Sequence, residues 1–429
     1  MRQLHEIRMA RAALSRLIEP GDETALHVVR ELGPVRGVRV LCGQDSLTDA
    51  QVVRLAGSLG SLRGWTRRFD AGRARWAPRA AHLDPLRDLQ SMHRLGGGFL
   101  IPEDPAWPTS LNDLGLNTPV GLWYRGGSAL PEQAQMLAVV GSRESTPYGA
   151  GVVDQLVGEV AREGTCIVSG GAYGIDGLAH RSALHHGTGA PPTLAVLAGG
   201  LDRFYPAGHE TLLRQVMDRG LLLSEMAPGA SPTRHRFLHR NRLIAALSIG
   251  VLVVEARWRS GAQNTAHHAL ALGRSVGAVP GPITSPSSAG CHRLLLDTPT
   301  ELITDAVAVR SLLTGTPATP APRAASAEAT GQHPLLDGQQ PGVSSQQVPS
   351  HGQHPAQHGD QPRPGDDLPE LDRLVHDALP LRRAVPTDRL AVGAGVGVPQ
   401  LAAALQRLAR AGLAQQTESG WRKAARVAQ

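Results

Sequence analysis

The chain has 429 residues, with 43 Lys plus Arg against 37 Asp plus Glu and a net charge of +6. A pI near 9.9 and this length predict two or three domains and a mildly basic surface that tolerates nucleic acid. Only one of the cations is a lysine, Lys423, so neither a G-x-x-x-x-G-K-[ST] phosphate loop nor a catalytic lysine in the glycine-rich region can exist.

The opening MRQLHEIRMARAALSRLIEPGD carries charge throughout, and no stretch approaches roughly 20 apolar residues. Cys42, Cys166 and Cys291 stand far apart with no C-x-x-C pair. An unexported, cytoplasmic protein without a membrane span is expected. Residues 1–95 carry helical periods at 4–18, 24–32 and 47–59, then an Arg-rich, Trp-containing stretch at 63–94, and read as a small helical domain. From 96 to 313 the runs MLAVVG, CIVSGG, TLAVLAGG, LLLSEM, IGVLVVEA and SVGAVPG each end in a turn and lead into a helical or polar segment. Runs apolar on both faces and separated by helices predict an α/β domain with a mostly parallel sheet covered on both sides. Residues 314–366 are rich in Pro, Gly, Ser, Gln and His, cannot bury a core, and are expected to form a disordered linker. Residues 367–429 offer helices at 368–379, 387–392 and 398–412 and a hairpin over 413–423, the order of a winged-helix module. Its Arg407, Arg410, Arg422 and Lys423 form a modest basic set that suits a solvated surface, DNA or a protein partner.

The segment IVSGGAYGIDGLAHRSA at 167–183 reads as strand end, glycine turn and helix start. Gly170, Gly171 and Gly174 permit a tight or left-handed backbone, and such a junction aims N–H groups and a helix dipole at one spot, where an anion is stabilised. Ala172 and Ile175 stand where a G-x-G-x-x-G pattern needs its second and third glycines, which disfavours a dinucleotide site. A purely structural crossover is the competing reading. VVGSREST at 139–146 is a second such turn, with Gly141, Ser142 and a projecting Arg143. AGGLDRFYPAGH at 198–209 sets Arg203 beside Phe204 and Tyr205. RHRFLHRNRLIAALS at 234–248 holds Arg234, Arg236, Arg240 and Arg242, with no acidic residue between Glu225 and Glu255. Carboxyl ends of parallel strands share one edge, so these four segments can meet in one cleft. The chain has only four Phe and four Tyr, yet Tyr148, Tyr173, Phe204, Tyr205 and Phe237 fall within or beside these turns. Rings interleaved with arginines and glycine amides suit a single nucleic-acid strand, with phosphates on the cations and bases on the ring faces. Packing on the rim of the sheet is the alternative for one or two of them, Tyr148 included.

GSR at 141–143, SGGAYGIDGLAH at 169–180, LAGGLDRFYP at 197–206, RNRLIAALS at 240–248, VVEA and SGAQNTA within 253–266, and AVPGPITSPSSAG at 278–290 occur in that order. With the upstream IPEDPAWPTSLNDLGLNTPVGLWYRGG at 101–127, they closely resemble the DNA-processing protein A family (DprA, also called Smf) over roughly residues 99–295. The resemblance implies a Rossmann-like, doubly wound domain between a helical, sterile-alpha-motif-like N-terminus and a C-terminal winged helix. It implies binding without catalysis: a homodimer that holds single-stranded DNA, protects incoming DNA and loads a RecA-type recombinase in natural transformation and recombination. No cofactor, metal or catalytic residue is implied. Carried over by motif, Gly141, Ser142 and Arg143 would clamp phosphate. Ser169, Gly170, Gly171, Ala172 and Gly174 would form the N–H-bearing turn, and Arg240, Asn241 and Arg242 would complete a basic wall beside Arg203, Phe204, Tyr205, Arg236 and Phe237. The chain departs from the family where Leu238 replaces a frequent proline, His209 replaces a frequent asparagine, and a phosphate-holding lysine has no lysine counterpart. Arg203 or Arg236 would fill that last place with a planar fork instead of an ammonium.

Two enzymatic readings compete. Nucleotide phosphoribohydrolases resembling the cytokinin-activating LOG family share a Rossmann-like sheet but carry P-G-G-x-G-T-x-x-E, where this chain has SGAQNTAHHA. Asp176 and Glu255 are the carboxylates left for such chemistry, and Asp176, at a helix start, is also a natural capping partner. A metal-dependent nuclease would need clustered carboxylates, and 226–254 has none. His235, His239, His267 and His268 remain, but His267 and His268 are adjacent on a helix-like run and point in different directions.

Overall fold

The N-terminal helices begin where the sequence supplies capping oxygens. In the computed structural model, which describes residues 2–58, 61–314, 368–380, 384–394, 396, 398–417 and 420–424, five helices come first. They are α1 (Arg2–Leu17), α2 (Glu23–Leu41), α3 (Asp49–Ser58), α4 (Leu62–Ala80) and α5 (Pro85–Arg94). Asp22, Ser61 and Asp84 accept from the backbone N–H of Ala25, Gly64 and Arg87, satisfying first-turn donors that have no partner within the helix. Leu14, Leu17, Val28, Trp65 and Trp76 are buried together and form the shared core of α1, α2 and α4.

A nine-stranded sheet follows: β1 (Gly97–Leu100), β2 (Leu122–Arg125), β3 (Met136–Val140), β4 (Cys166–Ser169), β5 (Thr193–Leu197), β6 (Leu221–Ser224), β7 (Gly250–Val253), β8 (Ser275–Ala278) and β9 (Glu301–Leu302). Between the strands lie α6 (Pro147–Val152), a π-helical turn (Val153–Val157), α7 (Gly158–Arg162), α8 (Ile175–His186), α9 (Glu210–Arg219), α10 (Arg234–Leu247), α11 (Gly261–Ala271), α12 (Ala289–Asp297) and α13 (Ala306–Thr314). The strand order is β1-β2-β6-β5-β4-β3-β7-β8-β9. All pairings from β6 to β9 are parallel, while β1 and β2 add an antiparallel edge. The six runs read as strands are β3 to β8. β1, β2 and β9 are absent from that reading; β9 has two residues, and the sequence GGFL of β1 owes its extended form to pairing with β2 rather than to propensity.

Every residue of β3 is buried, and its side chains alternate between two cores. Leu137 and Val139 pack with the π-turn, α8 and α13, whereas Met136, Ala138 and Val140 pack with α10 and α11. From β3 the chain steps outward through β4, β5 and β6, then returns to the other flank of β3 for β7, β8 and β9. Strand order therefore reverses between β3 and β7, and the loops leaving their carboxyl ends diverge to opposite faces, opening a crevice at that edge.

Charge ties α1 to the loop after β1 and to α5. Arg8 pairs with Asp104 at 2.6 Å, Arg11 with Glu103 at 2.7 Å and Arg16 with Asp88 at 2.5 Å. Glu19, just after α1, accepts from Arg236 of α10 at Nε (2.9 Å) and Nη2 (2.7 Å) and also binds Arg79 of α4. Burial alone would raise the Glu19 pKa, but the guanidiniums of Arg236 and Arg79 outweigh it and hold the carboxyl well below the usual range.

Past Thr314, the linker expected over 314–366 lies outside the described residues. The chain resumes as α14 (Glu370–Ala378), α15 (Thr387–Ala394), α16 (Val398–Arg410) and an antiparallel ribbon of β10 (Ala414–Thr417) and β11 (Gly420–Lys423). Val375, Leu390, Leu401, Leu405 and Leu408 give these elements a core of their own. Among the described residues no helix is long and apolar enough to cross a membrane.

Replacing Glu19 with glutamine leaves two buried guanidiniums against a neutral partner, an expected loss of about 3–5 kcal/mol at neutral pH. Because folding depresses this carboxyl's pKa, its contribution is complete above about pH 4.5 and fades as the pH falls. Thermal midpoints of wild type and Glu19→Gln should therefore differ at pH 7 and converge in acid; equal midpoints at pH 7 would show that the link carries no stability.

Candidate nucleic-acid interface

The glycine turn after β4 closes on a carboxylate of the chain itself. Gly171 and Gly174 have φ of 67° and 75°, a left-handed backbone that residues with side chains rarely adopt. The turn folds back so that Asp176, in the first turn of α8, accepts the N–H groups of Gly170 (3.1 Å) and Ala172 (3.4 Å). Asp176 is buried, which raises its pKa against the pull of Arg240 and the two amides. Burial likewise lowers the pKa of Arg240 to about 10, with Asp176 opposing the shift. Gly170 is what lets Arg240 reach this position, since a Cβ at 170 would stand 1.6 Å from Arg240 Nη1. Arg240 Nη1 donates to Val196 O at 2.9 Å, and its Nε has no partner among the described residues.

The turn after β3 interlocks with the first. The Ser142 N–H donates to Glu255 O at 2.7 Å and the Ile175 N–H to Ser142 O at 3.1 Å. The Ser142 hydroxyl is spent on the backbone of Glu144. Glu255, buried just past β7, accepts the N–H (3.0 Å) and hydroxyl (2.5 Å) of Thr146, the N-cap of α6. The starts of α6 and α8 thus each hold an internal carboxylate where a bound anion would otherwise sit.

Cations and rings are what the edge leaves open. Arg143 is exposed and has no carboxylate partner among the described residues, because Glu144 pairs with Arg257 at 2.5 Å. The Arg143 guanidinium carbon lies 5.0 Å from the centroid of the half-buried Phe237 ring, and that of Arg240 lies 5.9 Å from the same ring. Tyr205, 51% exposed, is 5.8 Å from Phe237. Tyr173, also exposed, meets His209 edge-on at 4.8 Å and accepts the Gly208 N–H. Arg203 extends into solvent with its side chain 92% exposed and Asp202 a distant 3.9 Å away.

Other residues expected here are committed elsewhere. Arg236 is bidentate on Glu19, and Arg242 is bidentate on Glu225 at 2.8 Å with further bonds to Asn117 O and His239 O. Of the basic wall expected at 234–248, Arg234 is exposed, Arg240 is buried against Asp176, and Arg236 and Arg242 are neutralised by Glu19 and Glu225. Asn241 binds Gly261 O and Asn264, joining α10 to α11. The Ser169 hydroxyl donates to Val139 O inside the sheet. Phe204 packs against the core, with Arg125 and Arg214 each within 5.4 Å of its ring centroid. The amides of Gly170 and Ala172, expected to face an outside anion, face Asp176. Of the two arginines considered for the missing lysine's place, Arg236 is committed and Arg203 is not. The Glu255 contact was not legible as a cap, although Thr146-Pro147 signals the helix start that the carboxylate serves. Among the described residues no three His, Cys, Asp or Glu side chains gather as a metal site.

An open, doubly wound sheet with cations and rings at the carboxyl edge, beside the point where strand order reverses, defines a Rossmann-like binding protein. The family model for DNA recombination-mediator protein A matches residues 98–313. A Mycobacterium tuberculosis chain named for DNA processing (DprA) is 38% identical over 426 residues, 96% of this chain and 93% of its own length. The chain belongs to the DNA recombination-mediator protein A (DprA/Smf) family. DNA processing protein DprA of Streptococcus pneumoniae is 41% identical over 192 residues, 45% of this chain and 66% of its own. The X-ray structure of DNA processing protein A from that organism superposes with a TM-score of 0.52 at 29% identity, covering 71% of this chain and 97% of its own.

Gly170→Ala is expected to cost about 1–3 kcal/mol by driving a methyl into Arg240. In an Arg240→Ala background the same change should cost much less, so the thermal midpoints of the double-mutant cycle should be non-additive; additive values would mean that the two residues do not constrain each other.

Proposed function

We propose that this protein binds single-stranded DNA along the carboxyl edge of its sheet and acts as a recombination mediator that passes the strand to a RecA-type recombinase. The observation that carries the reading is the pair of guanidiniums, Arg143 and Arg240, set against the single ring of Phe237 with Tyr205 beside it. A single strand alternates phosphates with free base faces, and this edge alternates cations with rings. A duplex hides its base faces and would use only the cations. Arg203, its side chain 92% exposed, takes the place of the family's lysine. Membership in a family described as recombination mediators supports the hand-over to a recombinase. A homodimer fits the same use, since two clefts on one assembly raise the effective concentration of a strand at the second. The three helices and ribbon at the C-terminus act, in this reading, as a winged-helix module, beside a helical N-terminal domain over residues 1–95 and the sheet domain over 96–313.

The reading is non-enzymatic. Asp176 and Glu255, the carboxylates a nucleotide hydrolase would use at this edge, are held by the N–H groups of Gly170 and Ala172 and by the N–H and hydroxyl of Thr146. A nucleoside monophosphate incubated with the protein should accordingly release no free base.

Arg143→Ala should weaken binding of all single-stranded sequences about equally and flatten the salt dependence by roughly 0.7 per lost phosphate contact. Phe237→Ala should cost on the order of 1–3 kcal/mol with the salt slope nearly unchanged. Anisotropy of labelled oligo-dT against salt reads both. A folded Arg143→Ala chain with wild-type affinity and slope would remove the cleft from consideration.

A further inference from the structure

The crevice between β3 and β7 has a second wall, the loop leaving β7, with the sequence Arg257-Trp258-Arg259. Trp258 is 57% exposed and joins no hydrophobic cluster among the described residues. Trp65, Trp76, Trp107 and Trp123 are buried, and Trp421 is half-buried. Folding gains little from the Trp258 indole, so its apolar surface stays in water at roughly 25 cal/mol per Å². The loop that carries it is braced. The Gln263 amide donates to the carbonyls of both Arg257 and Trp258 at 2.7 Å, and Arg257 ties the loop to the GSR turn through Glu144. The Arg293 guanidinium, from α12, lies 4.8 Å from the Trp258 ring and backs one face. More than half of the residue's surface remains exposed beside that contact. Arg259 is exposed next to it.

We propose that Trp258 is a base-stacking subsite that extends the single-strand path beyond Arg143, with Arg259 receiving the adjoining phosphate. The proposal rests on the single-strand reading of the cleft and lengthens it. Strands β5, β4, β3 and β7 are consecutive in the sheet, so at about 4.8 Å per strand the path from the Tyr205 loop to the Trp258 loop is on the order of 14 Å. That span holds a few nucleotides, with rings at both ends and Arg143 between them. A tryptophan backed by a cation offers its exposed surface to any of the four bases, so the subsite is indifferent to sequence.

Trp258 is the most exposed tryptophan among the described residues, so oligo-dT should quench the intrinsic emission of the full chain, and Trp258→Phe should remove most of that quench. Trp258→Ala should weaken oligo-dT binding by about fivefold to a hundredfold without changing the salt slope. Trp258→Phe should recover part of the loss, because a phenyl ring still stacks. Unchanged affinity in Trp258→Ala, whatever the emission does, overturns the subsite and leaves the Arg143–Phe237 cleft standing. Should the alanine variant fail to fold, a quench that persists at full size in Trp258→Phe overturns it equally. A wild-type chain that does not bind oligo-dT overturns the cleft and the subsite together.

Discussion

The buried carboxylate of Asp176 is the reference point of the binding edge. Removing a carboxylate from water costs several kcal/mol, so it persists in the interior only with donors and an opposite charge arranged around it. The chain supplies them from two elements, the amides of the glycine turn and the guanidinium of Arg240 on α10. The arrangement fixes the path of the turn and the direction of Arg240 at once. Phe237 lies three residues before Arg240, on the same helical face, so the ring is placed by the same constraint. Gly170 is the empty space that allows it.

A consequence concerns what kind of anion the edge can take. In many doubly wound sheets a helix start binds one phosphate through its amides, which suits a small ligand held at one point. Here Asp176 and Glu255 occupy the starts of α8 and α6. Beside these two turns, positive charge is carried by separated side chains such as Arg143 and Arg203. Such a distribution favours a polymer that meets several weak contacts over a compact nucleotide that needs one strong contact.

The parallel strands β3 to β8 were legible because each is an apolar run bounded by turn residues, and the glycine turn because Gly170, Gly171 and Gly174 have few other uses in that spacing. β1, β2 and β9 were not, since their extended form comes from neighbours rather than from their own residues. At the candidate edge the exposure of Arg143, Tyr173 and Tyr205 agrees with the local chemistry of the turns, whereas Phe204 packs against the core. The charge balance of the edge was not legible. Counting acids between residues 225 and 255 suggested an unopposed basic helix, yet Arg236 finds Glu19 from 217 residues away and Arg242 finds Glu225 from 17. Ion pairing is a property of the fold, and a local charge count cannot contain it.

The bond between Glu19 and Arg236 also bears on how the protein can be taken apart. The helix that carries Phe237 and Arg240 is held from its outer side by an acid belonging to the N-terminal helices. A fragment that begins at the sheet would lose Glu19 and release Arg236 as a new, uncompensated cation close to the cleft. The same cut would also release Asp104 and Glu103, which Arg8 and Arg11 balance in the intact chain, so the charge pattern of the edge would be redrawn. The charge of Arg236 on α10 is thus balanced by a residue that lies outside the sheet.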